Sequence, residues 1–145
     1  MKKLLLILGF CCTVNLLSAQ VDQPSFRDNK HNLIGNIQNG TIVDQNNNFL
    51  GQFRADKNQW SIIDSHHKTV GYIVGGNEIQ DLGHNTVGYL VNGSDYSVTV
   101  QNAEHTVVGR IKSDGTVESA SHGIIGYATH TEPMWAAPYF FFFKL

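Results

Sequence analysis

Cysteine occupies only two of the 145 positions, Cys11 and Cys12, both inside the apolar N-terminal stretch. The rest of the chain therefore has no disulfide, no thiol nucleophile and no cysteine-ligated zinc. Basic residues are also few, 10 Lys and Arg against 12 Asp and Glu, and they form no patch, which excludes an electrostatic nucleic-acid surface. No Gly-x-Ser-x-Gly elbow marks a nucleophilic serine. Gly75-Gly76 is not followed by the helix that a phosphate loop needs. The apolar run from Leu4 to Leu17 is about 14 residues, short of the ~20 that a membrane-spanning helix requires.

That run has another use. Met1-Lys2-Lys3, the apolar stretch and Ser18-Ala19-Gln20 follow the charged, apolar and small-residue order of a secretory signal peptide, with cleavage expected after Ala19. Phe10 and Cys11 precede the two cysteines where lipoprotein processing wants a small residue, so lipidation is disfavoured. Cleavage leaves 126 residues with 8 basic and 12 acidic side chains, a net charge of about −4. A chain of that length folds as one domain and buries roughly two-thirds of its unfolded surface.

Beyond a polar leader over residues 20–30, an apolar residue followed by glycine recurs at Ile34-Gly35, Leu50-Gly51, Val70-Gly71, Val87-Gly88 and Val108-Gly109, and a sixth partial copy is Ile125-Gly126. The glycines are spaced by 16, 20, 17, 21 and 17 residues, the length of one β-hairpin with its turns. Turn chemistry lies between the copies, at Asn39-Gly40, Asp56-Lys57-Asn58, Gly75-Gly76-Asn77, Asn92-Gly93-Ser94-Asp95 and Asp114-Gly115. A meander of about ten short strands over residues 31–130 follows. It is expected to close, because open edges invite aggregation, with the sixth copy sealing the ring. A propeller blade of ~40 residues does not fit this period. The recurring glycine marks a strand bend or a close backbone approach near the barrel axis.

Residues 131–145 break the pattern with Trp135, Tyr139 and the run Phe140, Phe141, Phe142, Phe143. Thr131 and Pro133 suit a helix start, and Pro138 argues against its continuation. So apolar a segment is expected to pack in or on the barrel. Membrane contact through the aromatics, with Lys144 at the headgroups, is the alternative.

Glycine-centred hairpins ending in an aromatic segment, with the forms Val70-Gly71-Tyr72, Val87-Gly88-Tyr89 and Ile125-Gly126-Tyr127, resemble the five-fold β-flower family of exported bacterial proteins. The resemblance covers residues 31–145. It implies an all-β, five-fold pseudo-symmetric antiparallel β-hairpin barrel with an apolar C-terminal plug. In outline it is also similar to the Tubby and phospholipid-scramblase barrel, which hints at lipid. It brings no catalytic motif, and fold alone carries no activity.

Five histidines, His31, His67, His84, His105 and His122, sit four residues before a repeat glycine, with Asn47 at the remaining position. Imidazoles in symmetric register are weak metal candidates, since a site needs three or four nitrogens about 2.0–2.1 Å from one ion. Turns on a rim are spaced by two strands, roughly 9–10 Å, and Asn and His tolerate positive φ, so a backbone role is the favoured reading. Asp44, Asp64 and Asp81 read as turn-capping carboxylates. Trp60, Tyr72, Tyr89, Tyr96 and Tyr127 remain as ligand contacts, and Tyr72, Tyr89 and Tyr127 are expected on one surface suited to a glycan or lipid headgroup. The composite expectation is a non-catalytic structural or binding module of the periplasm or cell envelope, without cofactor. Its partner would be a lipid, a glycan or an envelope protein. Membrane-surface binding through the tail stands second and an enzyme third.

Overall fold

Short alternating segments between turn residues form twelve strands in the computed structural model, which describes residues 23–145. The expected signal peptide over residues 1–19 and its cleavage point lie outside the described residues. The strands are β1 (Ser25–Asp28), β2 (Leu33–Gln38), β3 (Thr41–Val43), β4 (Phe49–Asp56), β5 (Gln59–Ile63) and β6 (Thr69–Val74). They continue with β7 (Glu78–Asp81), β8 (Thr86–Asn92), β9 (Val98–Asn102), β10 (Val107–Ile111), β11 (Thr116–Ser119) and β12 (Ile124–Thr129). Each pairs antiparallel with its chain neighbours, and β1 pairs with β12, closing the barrel. Closure leaves no free edge.

Two expectations are corrected here. The polar leader is not outside the fold, because Ser25–Asp28 is a full barrel strand, and Phe26 within it is completely buried. There are twelve strands rather than about ten. Five hairpins, from β2–β3 to β10–β11, are continuous in sequence, and the sixth pair is assembled from β12 and β1. The sixth glycine copy thus seals the ring through the leader and not by pairing with β2. A lone apolar side chain, Phe26, set among polar neighbours is too little pattern to announce a strand.

The apolar-glycine dipeptide has one structural cause. Ladder register slips by one residue at Ile34, Leu50, Val70, Val87, Val108 and Ile125, so each of these is the extra residue of a β-bulge. A bulge re-aims its side chain, which here packs against the core beside the following glycine position. Across the ladder from the six glycines stand Phe26, Ile42, Ile62, Ile79, Val100 and Val117, all fully buried. A second inner ring comprises Ile37, Phe53, Ile73, Leu90, Ile111 and Ala128.

The tail runs through this interior. Helix α1 (Pro133–Ala137) begins near the β6–β7 and β10–β11 turns, because Pro133 shares cavities with Gly76 and with Asp114. Its first residue is a proline, and Glu132 precedes it without a side-chain cap, so Thr131 does not cap the helix. The Thr131 hydroxyl donates instead to the Thr129 carbonyl at 2.9 Å. Pro138 does not stop the chain from coiling. A wider π-helical turn, Pro138–Phe142, follows it and closes with the Phe143 N–H on the Pro138 carbonyl at 2.9 Å. Proline has no N–H to return to the preceding turn, and a one-turn π segment absorbs that gap.

That turn fans the side chains around the barrel. A Cβ placed on Gly126 would run into Phe140, on Gly109 into Phe141, on Gly88 into Phe142, on Gly71 into Phe143, and on Gly51 against Leu145. Successive tail residues therefore meet β12, β10, β8, β6 and β4 in turn. Full burial of such a ring is worth roughly 1.5–3 kcal/mol, and these half-buried rings each add a part of that to the core. Deeper in the barrel, Trp135 stacks on Phe53 at 5.6 Å between centroids and meets Trp60 edge-on. No helix among the described residues is long and apolar enough to cross a membrane.

Candidate functional site

One barrel end carries six turns of a single design. In the β1–β2 turn the Asp28 carboxylate accepts the N–H groups of Lys30 and Asn32, while the His31 N–H donates to the Asp28 carbonyl. Asp44, Asp64 and Asp81 hold the next three turns in the same way, through Asn48, Lys68 and Asn85. Asn102 takes over in the fifth turn and Ser119 stands at that place in the sixth. These are Asx-type turns, in which a short polar side chain satisfies the backbone that the ladder has released. The bonds hold each carboxyl below its ordinary range: Asp28 and Asp44 through the side chains of Asn32 and Asn48, and Asp64 and Asp81 through the N–H groups of Lys68 and Asn85. Asp44, Asp64 and Asp81 are the expected caps, and Asp28 joins them.

His31, Asn47, His67, His84, His105 and His122 all adopt positive φ, between 59° and 65°, at the same point of these turns. The left-handed region costs a non-glycine residue about 1–2 kcal/mol. Aromatic stacking offsets part of it. His31 lies on Tyr127 at 4.0 Å, His84 on Tyr72 at 4.6 Å, His105 on Tyr89 at 4.6 Å and His67 on Phe49 at 4.3 Å. In three of these pairs the tyrosine directly follows a repeat glycine and meets the histidine of the following turn, whereas Phe49 precedes Gly51 by two residues and Gln52 follows it. Where Asn36 or Arg110 follows the glycine, the next turn carries Asn47 or the unstacked His122.

Tyr72, Tyr89 and Tyr127 thus do share the outer surface, half-buried, each with one ring face taken by a histidine. The histidines are exposed on separate turns, and among the described residues no three His, Cys, Asp or Glu side chains converge as a metal site requires. This coupling of histidine to tyrosine is legible only after the bulge sets which residues face outward.

Inside the histidine turns lies the mouth that the tail fills. A shallow basin of about 600 Å³ is bounded by Ile34, Ile125 and the tail from Tyr139 to Leu145, with Asp28 at its lip. Tyr139 stacks on Phe26 at 4.3 Å, and burial pushes its phenol up from the ordinary value. Leu82, Val107 and Ile124 stand exposed around the same end. At the opposite end the β8–β9 connection projects Tyr96 beside a cavity of about 530 Å³, lined also by Ser113, Asp114, His130 and Glu132.

Searches among curated proteins and among solved structures found no match. The profile described as 5-fold beta-flower protein matches residues 55–144. With that match spanning more than half of the sequence and the glycine-bearing hairpins closing into one antiparallel barrel, the chain belongs to the 5-fold beta-flower protein family.

Proposed function

We propose that this protein is a non-catalytic, exported binding or structural module of the periplasm or cell envelope, working through its outer surface and its two rims. The observation that carries the reading is the occupancy of the barrel by its own tail, with Phe140, Phe141, Phe142 and Phe143 set against Gly126, Gly109, Gly88 and Gly71. A barrel enzyme or carrier needs an open interior to enclose its substrate. The N-terminal signal-like order supports export. Five hairpins continuous in sequence support the family's five-fold repeat, and the pair assembled from β12 and β1 adds a further unit to the ring. Native mass spectrometry of protein recovered from its host envelope tests the reading. A mature chain starting at Gln20 with a bound lipid, glycan or protein supports it. An uncleaved chain retained in the cytoplasm, or turnover of any substrate by the purified protein, overturns it.

A second reading, contact with a lipid surface, is favoured by the apolar mouth together with exposed Leu82, Val107 and Ile124 around it. Co-flotation with vesicles, lost on replacing those three by serine, would support it. Equal flotation of the variant would remove it.

A further inference from the structure

Four of the five tyrosines are packed face to face on a neighbour: Tyr72 on His84, Tyr89 on His105, Tyr127 on His31 and Tyr139 on Phe26. Tyr96 is different in every respect. It is 89% exposed, stacks on nothing among the described residues, and holds positive φ of 59°. A bulky side chain in that region is an outlier that the surroundings must enforce. They do so here. The Asp95 carboxylate accepts the Ser97 hydroxyl at 2.5 Å and the Ser97 N–H at 3.2 Å, and the Gly93 N–H donates to the Ser97 carbonyl at 2.7 Å. The repeat containing this loop is also the longest, with 21 residues between Gly88 and Gly109.

We propose that Tyr96 is the stacking platform of a carbohydrate site, in which a pyranose ring lies on the phenol and its hydroxyls reach the polar groups of the adjoining cavity. This rests on the reading of the protein as a binding module. The cavity, about 530 Å³, falls within the size of small-ligand sites. Ser113, His130 and Glu132 line it and make no side-chain hydrogen bond to other described residues, so one hydroxyl, one imidazole and one carboxylate are free for sugar hydroxyls. Lys112 is committed, with its ammonium 2.5 Å from Glu118. A rigid aromatic face beside mixed donors and acceptors suits a ring with an apolar C–H face and polar edges. The apolar side chains of the lining, Ile111, Ala128 and Pro133, alternate with seven polar ones, a mixture that suits a sugar better than an acyl chain.

Saturation-transfer NMR with cellobiose, maltose and chitobiose tests the site. The expected result is transfer to the ring C–H protons of at least one of them, kept in Tyr96→Phe and weakened about fivefold to tenfold in Tyr96→Ala. Circular dichroism on Tyr96→Ala checks that the exposed substitution leaves the barrel folded. Transfer unchanged in Tyr96→Ala, or absent for all three sugars, overturns the proposal. A bound mass seen in native spectra and insensitive to Tyr96→Ala would overturn the carbohydrate site while sparing the binding-module reading.

Discussion

Phe26 stands directly across the ladder from Ala128, in the seam where β1 meets β12. Elsewhere the equivalent pairs are two large residues, as in Phe53 with Ile62 and Ile73 with Ile79. The seam reaches the same filling by opposing its largest side chain with its smallest. Ala128→Ile should therefore overpack the seam and destabilise by about 1–3 kcal/mol, whereas Phe26→Ile combined with Ala128→Ile should recover part of that loss. Urea unfolding of the three variants checks this, and strict additivity would contradict it.

Gly88 is held to glycine by the tail. Its missing Cβ would meet the Phe142 ring and lie 2.9 Å from the Gln101 carbonyl. Gly88→Ala is expected to destabilise by about 2–3 kcal/mol. Phe142→Leu in the same molecule should relieve the ring clash but not the carbonyl contact, giving a coupling of about 0.5–3 kcal/mol in a double-mutant cycle. Zero coupling would mean that the ring is not seated against that strand.

His84 serves its backbone first and Tyr72 second. Gly or Asn at this position keeps the left-handed conformation and loses the stack and the long 3.4 Å contact of the exposed imidazole with Gln80, so the change should stay within about 1 kcal/mol. His84→Val places a β-branched residue there and should cost about 2 kcal/mol or more. Melting temperatures in the order Gly and Asn above Val are expected. A histidine-specific requirement would reverse the expectation by making all three equally damaging.

Acid should loosen the turns. Asp28, Asp44, Asp64 and Asp81 have folded-state values lowered from 3.8 by the hydrogen bonds they accept. Protonation is thus easier in the unfolded chain, so their contribution is complete above about pH 4 to 5 and is lost as pH falls through the lowered folded values. The melting temperature should be flat near neutrality and decline below about pH 4. In Asp81→Asn, whose cap no longer titrates, the decline should be shallower. A decline of equal steepness in that variant would assign the effect elsewhere.

The glycine spacing and the turn dipeptides made the closed antiparallel meander legible, because both are local requirements that recur. Thr131 and Pro133 announced a helix start, although the cap hydrogen bond is absent and Pro138 widens the coil instead of ending it. β1 escaped notice for a physical reason. It pairs with β2 beside it and with β12 about a hundred positions away, and Ser25-Phe26-Arg27-Asp28 carries no local periodicity to reveal either partner. The turn role of the histidines followed from the tolerance of positive φ. Their stacking on Tyr72, Tyr89 and Tyr127 did not, because it depends on the bulge that rotates the strand. Tyr96 was one aromatic among several until its isolation from the others could be seen.

The seam between β1 and β12 also sets a timetable. Ser25 pairs with Thr129, and the tail that fills the interior comes later still. A growing chain therefore cannot complete its ring, or seat the rings of Phe140 to Phe143, until its final residues have emerged. Non-local pairing of this kind pays its loop-closure entropy late and folds slowly. Early hairpins can form and melt, but nothing locks them. The ring is thus sealed last, by β12 meeting β1, after the five hairpins that are continuous in sequence have had the opportunity to form.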